Sequence, residues 1–147
     1  MPSDNSYILL IEDNPDDIEL TKLAFQKNNF ANDIVVVEDG QEALDFLLGD
    51  HPEGVDKHGY PEVILLDLQL PKVNGHDVLK RIKTNEKTKR LPVVILTSSQ
   101  EEDDIVKGYD YGANSYVRKP VDYQDFLEVV NNLGVYWLAV NKSGAPT

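Results

Sequence analysis

The sequence predicts an α/β protein, a mostly parallel five-stranded sheet with helices on both faces. Three observations predict it. Four short apolar runs and a shorter fifth strand segment recur along the 147 residues, with segments of helical period between and after them. The runs are unbroken rather than alternating, which marks strands covered on both sides. One of the continuous runs, Val63 to Leu66, ends on a lone carboxylate, Asp67, at the strand end where open α/β sheets carry their sites. Taken alone, that Asp could equally well cap a loop.

The first run, Tyr7 to Ile11, leads straight into Glu12-Asp13. Asn14-Pro15 then opens a helix, with Asn as N-cap and Pro at the first helical position. Asp16 and Asp17 suit the positive end of its dipole, and Ile18, Thr21, Ala24 and Phe25 form its inner stripe. The β-branched run Asp33 to Val37 reads as a second buried strand. Ala43, Leu44, Phe46 and Leu47 mark a second helix. Gly49 to Tyr60 reads as a polar loop, longer than the roughly 2–6 residues usual between a helix and a strand. Its His51 and His58 fit solvent better than a metal.

After Asp67, Asn74-Gly75 precedes a helix whose inner residues are Val78, Leu79 and Ile82. The basic residues Lys80, Arg81, Lys83, Lys87, Lys89 and Arg90 suit its carboxyl end and are expected to face water. A fourth strand, Val93 to Leu96, ends in Thr97-Ser98-Ser99, and capping-box pairs at Ser98/Glu101 and Ser99/Glu102 open a helix to about Tyr111. Ser115 to Arg118 is a short fifth strand, followed by Lys119-Pro120. A last helix starts near Asp122, with Phe126, Val129, Val130, Leu133, Trp137 and Val140 on one stripe. One domain is expected over 1–147, with its core at about 7–140 and a frayed tail at 141–147.

Composition narrows the function. The chain has 26 acidic and 14 basic residues and a net charge of -12, a field that repels phosphate backbones and argues against direct nucleic-acid binding. Cysteine is absent, which excludes thiol nucleophiles, disulfides and thiolate metal sites and fits a cytoplasmic protein. There is no run of about 18 apolar residues for a membrane span, and Met1 to Ser6 is too short and polar for a signal peptide.

In a parallel sheet the carboxyl ends share one edge. The first strand delivers Glu12 and Asp13 there, the third Asp67, the fourth Thr97 and the fifth Lys119. Carboxylates gathered without a partner repel one another, and a hard divalent cation relieves them. An oxygen-only ligand set points to Mg²⁺ rather than zinc. Lys119 and Thr97 can meet phosphoryl oxygens. Asp67 is then the natural nucleophile, forming an aspartyl phosphate.

On these residues the sequence resembles a receiver domain, the phosphoacceptor module of two-component response regulators. The matching pieces are IEDN at Ile11 to Asn14, LLDLQLP at Leu65 to Pro71, Asn74-Gly75, LTSS at Leu96 to Ser99 and Tyr-x-x-Lys-Pro at Tyr116 to Pro120. The resemblance implies the flavodoxin-like order 2-1-3-4-5, an arrangement that general accounts of this fold illustrate with a receiver. It implies phosphorylation of Asp67 by a sensor histidine kinase. Mg²⁺ would be held by Asp13, Asp67 and the Gln69 backbone carbonyl, with Glu12 acting through water. Thr97 and Lys119 would contact the phosphoryl group, and Tyr116 would be an aromatic switch coupled to Thr97. The Lys119–Pro120 bond is often cis in that family. The Glu-Asp acid pair, Gln69 and Ser99 depart from the commonest pattern and leave the phosphoryl lifetime open.

The 49–60 loop and the segment Val135 to Val140 resemble single-domain regulators partnered with cyanobacterial phytochrome-type kinases. Tyr109, Tyr111, Tyr116, Tyr123, Tyr136 and Trp137 crowd the last third, more aromatics than one helix face buries. A homodimer through Tyr109, Tyr123, Tyr136 and Trp137 is therefore expected. Two other functions fit less well. A phosphatase with an Asp nucleophile wants a second acid where Gln69 stands, and a binding module without phosphorylation would not need the full acceptor set. The expected function is a signalling switch, with no enzyme turnover beyond its own phosphotransfer and dephosphorylation, acting through a protein–protein surface.

Overall fold

The computed structural model describes residues 7–28, 33–97, 109–119 and 122–134. Five parallel strands, β1 Tyr7–Ile11, β2 Asp33–Val37, β3 Val63–Leu66, β4 Val93–Thr97 and β5 Ser115–Arg118, form one sheet in the order β2-β1-β3-β4-β5. Five described helices accompany it: α1 Pro15–Lys27, α2 Gly40–Leu47, α3 Glu53–His58, α4 Gly75–Thr84 and α5 Tyr123–Gly134. The expected architecture and strand order are observed.

Both faces of the sheet are buried, as unbroken apolar strands require. Leu9, Ile11, Ile64, Leu66, Val93 and Ile95 point to one face and meet Ala43, Leu44 and Leu47 of α2 and Val78, Leu79 and Ile82 of α4. The alternate residues Ile8, Leu10, Val63, Leu65, Val94 and Leu96 meet Ile18, Ala24 and Phe25 of α1 and Phe126 and Val130 of α5. Asn28 joins the two helices of that second layer, its amide donating to the Leu127 carbonyl at 3.0 Å. The edge strand β2 is less covered than expected, with only Val37 fully buried.

Helix entry follows the capping residues in the sequence. The Asn14 side chain accepts from Asp16 and Asp17 N–H at 2.9 and 3.1 Å, and Pro15 stands at the first position of α1. Asp39 caps α2 through Glu42 N–H, and Asn74 caps α4 through Asp77 N–H. Gly75 permits a close approach. A Cβ there would lie 2.5 Å from Leu68 Cα and 2.6 Å from the Asp67 carbonyl oxygen, so the start of α4 rests against the backbone that follows β3.

Two expectations are corrected. The segment 49–60 is not all loop, because α3 occupies Glu53–His58. Its Gly54 lies against the Phe46 ring, where a Cβ would collide, and Val55 packs on the core. His58 is half-buried rather than in solvent; its ring stacks on Phe46 with centroids 6.2 Å apart and lies 5.7 Å from the Tyr7 ring. The Tyr7 hydroxyl donates to the Gly59 carbonyl at 2.6 Å and ties the insertion to β1. The second correction concerns the basic end of α4. Lys83 turns inward and donates to the Leu91 carbonyl at 2.7 Å and to Asn114 Oδ1 at 2.9 Å, while Lys80 is exposed as expected and lies over the Tyr111 ring. The capping pairs at Ser98 and Ser99, the helix they open up to residue 108, and the 141–147 tail lie outside the described residues.

Candidate functional site

The sheet's own hydrogen bonding delivers the candidate residues. Each bond runs one residue past the strand that carries it. Glu12 N–H donates to the Val37 carbonyl at 3.0 Å, Asp67 N–H to Ile11 at 3.0 Å and Lys119 N–H to Thr97 at 2.7 Å. Three polar side chains are thereby fixed on the carboxyl edge by neighbouring strands rather than by loops.

Asp67 is 7% exposed and Thr97 is fully buried. The Thr97 hydroxyl donates to Asp67 Oδ1 at 2.9 Å, and Gln69 N–H reaches the same oxygen at 3.2 Å. The other oxygen, Oδ2, faces Lys119 Nζ at 3.4 Å. Lys119 also donates to Glu12 Oε1 and to Asp17 Oδ2, the latter at 2.9 Å. Glu12 Oε2 accepts from Asn14 N–H at 3.3 Å. Glu12, Asp13 and Asp67 each offer a carboxylate oxygen within 4.8 Å of the others. Asp13 is exposed, and with Asp17 and Gln69 it lines the mouth of the cleft above Asp67.

Electrostatics follow from burial and crowding. Burial pushes the Glu12 carboxyl up to about 7, and the hydrogen bond it shares with Asp67 pushes the same way; Lys119 only partly offsets these. Burial works against the Lys119 charge, but Glu12, Asp67 and Asp17 outweigh it and hold the ammonium above its ordinary range. Several carboxylates around one ammonium leave an excess of negative charge. The donor set is all oxygen, open on the Asp13 side and short of positive charge, which fits a hard divalent cation such as Mg²⁺.

The structure thus brings together Glu12, Asp13, Asp67, Thr97 and Lys119, with Gln69 lining the same cleft. Tyr116 stands apart from that edge. It is half-buried at the second position of β5, packed on the α2–α4 face with its ring 6.5 Å from that of Tyr109. Tyr109 is 51% exposed. Tyr123 begins α5, and Tyr136, Trp137 and the Lys119–Pro120 bond lie outside the described residues. Asp17 is the site residue that the sequence reading missed, having assigned it only to the helix dipole. Its signal was its place one turn into a helix that starts beside Glu12-Asp13.

Comparison with known proteins gives the family. Over 143 residues the chain is 40% identical to the probable methanogenesis regulatory protein FilR2 of Methanothrix harundinacea, covering 97% of this chain and 90% of that protein. It is 35% identical over 131 residues to the response regulator Rcp1 of Synechocystis, covering 89% and 88%. The solved Mn(2+)-bound form of Rcp1 superposes with a TM-score of 0.85, at 34% identity and over 95% of this chain and 99% of that one. The phosphorylated cyanobacterial phytochrome response regulator RcpA gives a TM-score of 0.87 at 35% identity, with coverage of 95% and 99%. The response regulator receiver domain family matches residues 8–131, nearly the whole described sheet and its helices, and the chain belongs to that family.

Proposed function

We propose that the chain is a phosphoacceptor switch whose reaction occurs on Asp67. The observation that carries this reading is the environment of one carboxylate. Asp67 Oδ1 is fixed by Thr97 and Gln69, Oδ2 faces an ammonium, and two further carboxylates flank it. In the reaction, an Asp67 oxygen forms a bond to phosphorus as the bond from phosphorus to a kinase imidazole nitrogen breaks, and the imidazole keeps the electron pair and takes up a proton. Thr97 and Lys119 then contact the new phosphoryl oxygens, and Tyr116 responds to the shift of Thr97.

Asp13, Asp67 and the Gln69 carbonyl would hold Mg²⁺, with Glu12 acting through water. Bound there, the cation supplies charge neutralisation for the incoming phosphoryl group. A sensor histidine kinase is the donor. The phytochrome type is favoured by RcpA, the phytochrome response regulator that the chain resembles over 95% of its length. The readout is a protein surface, and the exposed Tyr109 supports a homodimer continued by Tyr123, Tyr136 and Trp137. We take the setting to be the cytoplasm. Turnover is limited to loss of the chain's own phosphoryl group, because Gln69 stands where a phosphatase needs a proton-transferring acid.

Intact mass after incubation with acetyl phosphate and Mg²⁺ tests the reading. The wild type is expected to gain about 80 Da, and Asp67→Asn to gain nothing. An adduct that survives Asp67→Asn, or none on the wild type, rejects it. Sedimentation showing a monomer with and without the phosphoryl group rejects the dimer.

A further inference from the structure

We infer that Asp17 is a positioning residue that draws Lys119 back from Asp67 until a phosphoryl group arrives. The inference rests on the phosphoacceptor reading of Asp67. An ammonium has three hydrogens to donate. At Lys119 carboxylates take all three, from Glu12, from Asp17 at 2.9 Å and from Asp67 at 3.4 Å. The contact to the acceptor residue is longer than that to Asp17. Phosphoryl oxygens on Asp67 need a hydrogen from Lys119, so one existing partner must release it.

Exposure decides which partner lets go. The side chains of Glu12 and Asp67 are 2% and 8% exposed, and that of Asp17 is 37% exposed. A carboxylate at the mouth of the cleft regains water when it turns away, whereas a buried one would be left charged without a partner. Asp17 also comes from α1 rather than from the sheet edge, and it is not one of the three carboxylates whose oxygens gather within 4.8 Å. Its contact at the site is therefore with the ammonium and not with the cation position. Arrival of the phosphoryl group exchanges Asp17 for phosphate on Lys119, so Asp17 sets how much of the phosphoryl affinity is spent on that exchange.

Asp16 supplies the control. It has the same charge, lies in the same turn of α1, is exposed and makes no ion pair among the described residues. The test uses the full chain, Mg²⁺ and beryllofluoride as the phosphoryl probe, with binding followed by calorimetry. Asp17→Asn should bind the probe about two- to fivefold more tightly than Asp16→Asn, although each variant removes one negative charge. In metal-free samples with nitrogen-labelled lysine, the Lys119 ammonium protons should exchange with water faster in Asp17→Asn only. Asp17→Glu should restore the slower exchange. Equal behaviour of the two Asn variants, or weaker probe binding by Asp17→Asn, overturns the inference while leaving the phosphoacceptor reading intact. A wild type that takes up no beryllofluoride in Mg²⁺ overturns both.

Discussion

Two lysines turn inward at opposite ends of the same pair of strands, β4 and β5. At the carboxyl end Lys119 is surrounded by three carboxylates and held firmly charged. At the amino end Lys83 meets only neutral acceptors, the carbonyls of Lys89 and Leu91 and the Asn114 side chain. Burial there pushes the Lys83 ammonium down to about 8. Asn114 Oδ1 also accepts from Val93 N–H at 2.9 Å, and Asn114 N–H donates to the Val93 carbonyl at 2.8 Å, so this end of the two strands is stitched shut. The difference teaches how one sheet assigns two tasks to one residue type. Surplus negative charge keeps a lysine ready for an anionic ligand, whereas neutral dipoles use a lysine as a brace.

Removing Lys119 strikes the comparison hardest. In Lys119→Met, Glu12 and Asp67 stay buried beside each other without a cation, and the metal-free protein should lose about 3 kcal/mol in urea unfolding. Mg²⁺ should then raise the stability of the variant more than that of the wild type, because it replaces the missing charge. A metal-free variant as stable as the wild type would show that the ammonium does not balance these acids.

The pH dependence of the metal-free protein comes next. The Glu12 carboxyl is raised on folding from 4.5 to about 7, so its contribution is full below about pH 4.5 and is lost as pH rises through 7. Between those values stability should fall by about 2 kcal/mol, and saturating Mg²⁺ or Glu12→Gln should flatten the fall. A stability that rises over this window would contradict the surplus of negative charge.

The smallest effect belongs to Lys83 and has the opposite sign. Its ammonium is lowered on folding from 10.5 to about 8, so the unfolded chain binds the extra proton between these values and stability rises with pH. With solvent screening at this half-buried position the rise should be about 1 kcal/mol, read as the difference from Lys83→Met. Identical pH profiles of the two proteins would erase the contrast between the two lysines.

Much of this was legible in the sequence because strand burial and strand-end chemistry are local. Val63 to Leu66 followed by Asp67, or Val93 to Leu96 followed by Thr97, state both the strand and the group it delivers. The Asn14 cap was equally readable, since it bonds within three residues of itself; Asp39 and Asn74 cap α2 and α4 in the same way but read in the sequence as turn residues. What escaped were contacts set by distance along the chain. Asp17 meets Lys119 from 102 positions away, and Lys83 meets Asn114 from 31. Helical pattern and charge count cannot tell such a lysine from one in water. The short helix α3 escaped for another reason: it has no side-chain cap hydrogen bond, and Gly54 in its first turn reads as loop.

Gly75 has a consequence for anyone recoding this chain. Every other amino acid brings a Cβ, and that one carbon would sit 2.5 Å from the Leu68 backbone and 2.6 Å from the Asp67 carbonyl oxygen. Exchanging the acidic side chains around the cleft changes charge and stability but puts no new atom into a backbone contact. At Gly75 the choice is made by volume before chemistry is consulted. A single methyl group there would lever the start of α4 off the residue that follows β3, so mutational tolerance at this position is a direct gauge of how rigidly Asp67 must be seated.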